Sequence, residues 1–272
     1  MTDQLRLMAI FAHPDDEAFG TGGTLIKYAQ EGVEVHLVMA TRGEAGQLAN
    51  PDITPTHPFS LLREQELRRA CAVYGLKQLH LLGYVDGQTP IVPPAEAVYK
   101  IVWLLRDIMP QVVISFGPDG VYGHYDHLAV HRWASAAVTL AGDPDRWPEI
   151  GAAHQVAKFY HRAMPQPQVD NMKERLGYNA VMMDGIPFPF TGYSLEQITT
   201  IIDTHEFAAR KVQAIRCHAS QIRPDSPFLQ DGFDPVANEW FWQETYILAQ
   251  NGDRSGSMLT NGKETDLFAG VR

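Results

Sequence analysis

Five consecutive residues near the start of the chain, His13-Pro14-Asp15-Asp16-Glu17, bring together one imidazole and three carboxylates. They follow directly on the apolar run Met8-Ala9-Ile10-Phe11-Ala12, which reads as a buried strand that the proline cannot continue. Ionisable groups at the end of a core strand are unfavourable unless they are paired or bind a metal. His13 and Asp16 offer the nitrogen and oxygen donors that suit Zn2+ or a similar divalent ion, leaving Asp15 for acid–base work. The competing reading is a helix-start cluster, with Asp15 or Asp16 capping a helix that begins near Ala18.

A second cluster, Tyr122-Gly123-His124-Tyr125-Asp126-His127, follows another apolar run, and His131 lies one helical turn further on. His127 and His131, at i and i+4, could share a helix face as a pair of zinc ligands. His124 and His127 could equally divide the work, one as ligand and one as acid. Other candidates are more scattered. Arg42 and Glu44 sit in Thr41-Arg42-Gly43-Glu44, either lining a ligand crevice or lying in a solvated loop. Arg63 falls in the first turn of an expected helix, where a cation opposes the dipole, and a partner that is an anion or a hydroxylated ligand would explain it. His218 either reaches the site or ties a helix end.

These residues need a scaffold that delivers them to one place. Residues 8–12, a helix to Gly32 and an apolar strand over 33–40 make a strand–helix–strand unit, which implies a parallel sheet covered by helices. Further strands are expected at 79–82, 112–116, 156–161 and 198–202. Helices are expected from an N-cap at Ser60 to Tyr74, and over 95–109, 128–141 and 206–217. Both chemical clusters then stand at strand ends, where open parallel sheets form their ligand crevices. The Gly20-Thr21-Gly22-Gly23-Thr24 stretch invites a phosphate-cradle reading, but no Gly-Lys-Ser/Thr follows, and close packing explains small residues as well. The expectation is one domain over 1–250, with a proline-rich irregular lobe at 163–193 near the substrate and a loose polar tail over 251–272.

Composition narrows the class of partner. The 272 residues are 45% hydrophobic, enough to bury a full core, and the formal charge of −10 argues against nucleic acid or an anionic membrane surface. No apolar stretch approaches the ~20 residues of a membrane span. Two isolated cysteines without CxxC spacing fit a reduced, cytoplasmic setting.

The motifs Ala12-His13-Pro14-Asp15-Asp16-Glu17 and Tyr122-Gly123-His124-Tyr125-Asp126-His127 resemble those of the LmbE-like, or PIG-L, superfamily of zinc-dependent de-N-acetylases. The likeness runs on through Thr41-Arg42-Gly43-Glu44, Arg63-Glu64-Gln65-Glu66 and His218-Ala219-Ser220-Gln221. It implies a Rossmann-like α/β fold and a cation, Zn2+ or another such as Fe2+, held by His13, Asp16 and His127. It also implies Asp15 as general base, His124 as the group that protonates or polarises, Asp126 as the residue that orients a histidine, and Tyr122 as an aid to the oxyanion. His131 is outside that ligand pattern and becomes a supporting or packing residue. Tyr125 stands where many members have proline.

Three protein ligands leave room for a water whose pKa zinc can lower from ~15.7 towards ~7, with Asp15 placed to take its proton. The expected activity is removal of an N-acetyl group from a small N-acetylglucosamine-containing glycoside, by an enzyme that is monomeric or a homo-oligomer. Arg63, Glu44, Arg42 and His218 are the expected substrate-binding residues. The alternatives are an amidase acting on thiol conjugates or a glycosylated antibiotic, and a binding module that holds a metal or nucleotide without turnover.

Overall fold

The computed structural model describes residues 4–177, 179–183, 185–252 and 262–272. The chain forms two compact units interleaved in sequence, residues 1–89 with 203–244 and residues 90–202 with 245–272.

In the first unit, strand β1 (Arg6–Phe11) leads into helix α1 (Asp16–Gln30), strand β2 (Glu34–Met39), helix α2 (Phe59–Tyr74) and strand β3 (Gln78–Leu81). β1 pairs parallel to β2, with Met8 opposite His36, and β2 pairs parallel to β3. Leu7 to Ala12 are completely buried, as expected for a parallel strand covered on both faces, which selects an unbroken apolar run. The later segment returns to this unit as the helix Ala208–Cys217.

The glycine stretch lies inside α1 and does not precede it. Glycines are poor helix formers, by about 1 kcal/mol each, and packing explains two of them. A Cβ on Gly23 would stand 2.3 Å from Oγ1 of Thr204, and one on Gly22 would stand 3.3 Å from the Tyr74 ring. The anion at this stretch is the chain's own. The N–H groups of Gly23 and Thr24 donate to the Glu244 carboxylate at 2.9 and 2.7 Å, and Lys211 balances that carboxylate at 2.8 Å. Helix α2 starts behind Pro58 with no side-chain cap, so Ser60 does not play the capping role expected of it.

The second unit holds helix α3 (Pro94–Ile108), strand β4 (Val112–Phe116), helix α4 (Tyr125–Ala141) and strand β5 (Lys158–Arg162). β4 pairs parallel to β5, and residues 246–250 run antiparallel to β5. The segment expected to be irregular contains a helix, Gln166–Leu176, and an antiparallel hairpin formed by Ala180–Met183 and Ile186–Pro189. Residues 253–261 of the expected loose tail lie outside the described residues. Residues 262–272 are anchored instead of loose. Leu267 and Phe268 are fully buried, and Glu264 accepts from Lys158 Nζ and Tyr160 Oη, both at 2.7 Å. The fold is thus α/β, with mostly parallel strands flanked by helices. Among the described residues no helix is long and apolar enough to cross a membrane.

Candidate metal centre

In the first unit, the chain leaves β1 into a tight turn. The N–H of His13 donates to Asp16 Oδ2 at 2.7 Å, and the N–H of Asp16 returns to the His13 carbonyl at 3.1 Å. His13 is buried, with Nδ1 3.4 Å from Asp16 Oδ2 and Nε2 3.0 Å from Asp86 Oδ1. One imidazole nitrogen therefore has a carboxylate behind it while the other faces Asp16. A carboxylate behind a histidine in this way fixes the tautomer and raises the basicity of the nitrogen left for a metal.

Asp15 precedes α1 with φ 112° and ψ −23°, an uncommon conformation for a residue with a side chain, and it makes no side-chain cap. The helix-start reading therefore fails for its carboxylate, which instead meets Arg63 Nη2 at 3.2 Å. Burial pushes the Asp15 carboxyl up to about 7, against the pull of Arg63 and with the neighbouring Asp16 adding to the rise.

The residues expected to bind substrate in this unit are committed within the protein. Arg63 is buried and donates to the carbonyls of Gly43 and Pro14 as well as to Asp15. Arg42 pairs with Glu64 at 2.5 Å. Glu44 accepts the N–H groups of Arg42 and Asp86, tying two strand-end loops together. His218 is fully buried and meets Glu17 through Nε2 at 2.7 Å, so it supports the helix start. Asp86 is the residue that sequence reasoning missed. The same strand-end logic could have found it, since it follows β3 in Gly83-Tyr84-Val85-Asp86-Gly87.

In the second unit, the turn after β4 is held by Asp119. Its Oδ2 accepts the N–H of Val121 at 2.8 Å, and its Oδ1 accepts a short hydrogen bond from the Tyr193 hydroxyl. Val121 takes φ 70°, a strained position for a β-branched side chain, and its carbonyl is tied to the N–H of Thr191. This turn aims Gly120 at the imidazole of His127, whose Nδ1 lies 3.0 Å from the Gly120 carbonyl. Because a carbonyl only accepts, Nδ1 carries a hydrogen, and the neutral ring then has its lone pair on Nε2. His127 is buried and stacks on Phe116 at 4.1 Å.

His131, one turn on, commits its own Nδ1 to the Phe116 carbonyl at 2.9 Å and packs edge-on against His161. His124 caps α4, with its Nδ1 accepting the N–H of Asp126 at 3.1 Å. Asp126 thus orients His124 through its backbone. Tyr122 stands edge-on to His127 at 5.0 Å and to Phe190 at 5.7 Å.

Side chains able to hold a metal are found on both units, His13 and Asp86 on the first and His124, Asp126 and His127 on the second. The donors fit a divalent cation of the zinc type, because the imidazoles of His13 and His127 each have one nitrogen bound from behind.

Residues 8–138 match the family described as GlcNAc-PI de-N-acetylase, PIG-L. A 1D-myo-inositol 2-acetamido-2-deoxy-alpha-D-glucopyranoside deacetylase of Streptomyces avermitilis is 34% identical over 98% of this chain and 97% of its own length. A mycothiol S-conjugate amidase of Streptomyces coelicolor is 30% identical over 100% of this chain and 99% of its own. Among solved structures, the N,N'-diacetylchitobiose deacetylase from Pyrococcus horikoshii shares the fold, with a TM-score of 0.65 at 20% identity, over 90% of this chain and 84% of that one. Matched to such relatives over nearly its whole length and carrying both motifs on buried strand ends, the chain belongs to the PIG-L family.

Proposed function

We propose that the protein hydrolyses the N-acetyl group of a small 2-acetamido-2-deoxyglucoside, with one divalent cation held by His13, Asp16 and His127. Family membership supports this reading, and the observation that carries it is the tautomer of His127, whose Nδ1–H is fixed on the Gly120 carbonyl so that the neutral ring keeps its lone pair on Nε2. A bound ion of the zinc type would lower the pKa of water at its open position and polarise the amide carbonyl.

The chain's own groups supply the remaining steps. Asp15, its carboxyl raised to about 7, suits a base that takes a proton from the attacking water. His124 accepts at Nδ1, so its hydrogen is on Nε2, where it can donate to the developing oxyanion without acquiring charge. Protonating Nδ1 would break the bond to the Asp126 N–H, which favours the donor role over that of general acid. Asp15 then returns its proton to the departing nitrogen, so that the amine leaves neutral. Tyr122 is the second candidate donor to the oxyanion. The free thiols of Cys71 and Cys217 suit a reducing cytoplasm.

The second reading, an amidase acting on a thiol conjugate, is favoured by the Streptomyces coelicolor relative. Acetate and amine release from a panel of N-acetylglucosaminides and from S-conjugated amides separates the two. Turnover of the acetamido sugars is the expected result. Turnover of the S-conjugates alone would favour the second reading.

A further inference from the structure

Glu17 is part of the motif but has no place in the chemistry above, and it is completely buried. An acid in the first turn of a helix ordinarily faces solvent and favours the dipole. This one turns inward, and both of its oxygens are engaged. Oε2 accepts the N–H of Asp15 at 3.0 Å. Oε1 accepts the Tyr74 hydroxyl at 3.0 Å and meets Nε2 of His218 at 2.7 Å. Tyr74 closes α2 and His218 follows the helix Ala208–Cys217, so two separate elements clamp one carboxylate.

The residue whose N–H is held has the φ of 112° that needs holding. Arg63 restrains the same peptide from the other side, through the Pro14 carbonyl at 2.5 Å and the Asp15 carboxylate at 3.2 Å. His218 is fully buried, and its Nδ1 has no partner, so its orientation follows the bond to Glu17. Burial opposes a charge on His218, but Glu17 and Asp15 outweigh it and hold the imidazole protonated above its ordinary range.

We infer that Glu17, clamped by Tyr74 and His218, is a positioning residue that keeps the Asp15 backbone in its strained conformation and so aims the base carboxylate. The inference rests on Asp15 being the base. Glu17 itself does not meet substrate.

A mutant cycle tests it, because a residue that acts only through Asp15 has nothing to act on once Asp15 is gone. Glu17→Gln is expected to lower kcat by at least about 30-fold, with KM within about twofold and metal content at the level of the parent. In an Asp15→Ala background the same change is expected to alter the residual turnover by less than about twofold. Tyr74→Phe removes a single hydroxyl and should lower kcat about three- to tenfold, an effect that also vanishes without Asp15. It carries the cycle if Glu17→Gln does not fold. An equal loss in both backgrounds would overturn the inference, as would a fall in metal content or a change confined to KM. Near-parental turnover by Asp15→Ala alone would instead show that Asp15 is not the base, which removes this inference by a separate route.

Discussion

The N–H of Asp126 donates to Nδ1 of His124 at 3.1 Å, so the imidazole that caps α4 presents its hydrogen on Nε2. Cap and chemistry are therefore carried by different nitrogens of one ring, and substitutions can separate them. His124→Asn keeps an N-cap acceptor and should keep the melting temperature, while losing about 10²- to 10³-fold in kcat for want of the Nε2 donor. His124→Ala should lose the same activity and about 1 kcal/mol of stability as well. Thermal melts of the two variants beside their turnover check this; an active His124→Asn would remove His124 from the reaction.

Gly120 supports His127 through its carbonyl and has no room for a side chain. A Cβ there would meet the His127 Cβ at 3.0 Å, at a backbone φ of 58°. Gly120→Ala should therefore weaken metal binding by about 10- to 100-fold, as loss of a ligand's supporting bond does elsewhere. Competition with a chelator of known affinity measures the change; an unaltered affinity would mean that the Gly120 carbonyl does not tune His127.

A pH dependence of stability is expected from a pair far from the catalytic motifs. His36, on β2, has its Nδ1 3.3 Å from Nε2 of His80. Burial first, and then His80, lowers its pKa to about 4, with Glu34 opposing and Arg6 and Lys77 adding to the fall. Between pH 6.5 and 4 the unfolded chain takes up a proton that the folded chain refuses, so stability is full above that window and falls as pH drops through it. Two and a half units correspond to about 3 kcal/mol as an upper bound. His36→Gln should flatten the pH dependence of denaturant midpoints across this window, and a slope unchanged from the parent would contradict the assignment.

The last eleven residues are expected to be structural. Glu264 pairs with Lys158 among buried groups and also accepts from Thr200 Oγ1. Removing one partner of a buried pair typically destabilises by about 3–5 kcal/mol. Glu264→Ala should therefore lower the denaturation midpoint sharply. Stability within about 0.5 kcal/mol of the parent, the usual range for a surface change, would mean that the segment is dispensable.

What could be read in advance depended on how local the signal was. β1, β2 and β4 were legible because strands covered on both faces demand continuous apolar runs, and both motifs stand directly behind such runs. The glycines of α1 misled because their reason is tertiary: Thr204, Tyr74 and Glu244 approach from far along the chain. Glu17 and His218 are 201 residues apart, and Lys158 and Glu264 are 106 apart, so neither pairing leaves a mark in any short window. Arg63 was read as facing an anion or a hydroxylated ligand, and the anion beside it is Asp15. Asp86 went unread because it has no histidine beside it in the sequence, although it meets His13 in space.

Metal content measured beside turnover tests the central claim most directly. Parent protein should carry about one divalent ion per chain; His13→Ala and His127→Ala should lose it, and Asp15→Ala should keep it while acetate release falls by about 10²- to 10⁴-fold. An Asp15→Ala protein without metal, or a His127→Ala protein that keeps it, would contradict the account.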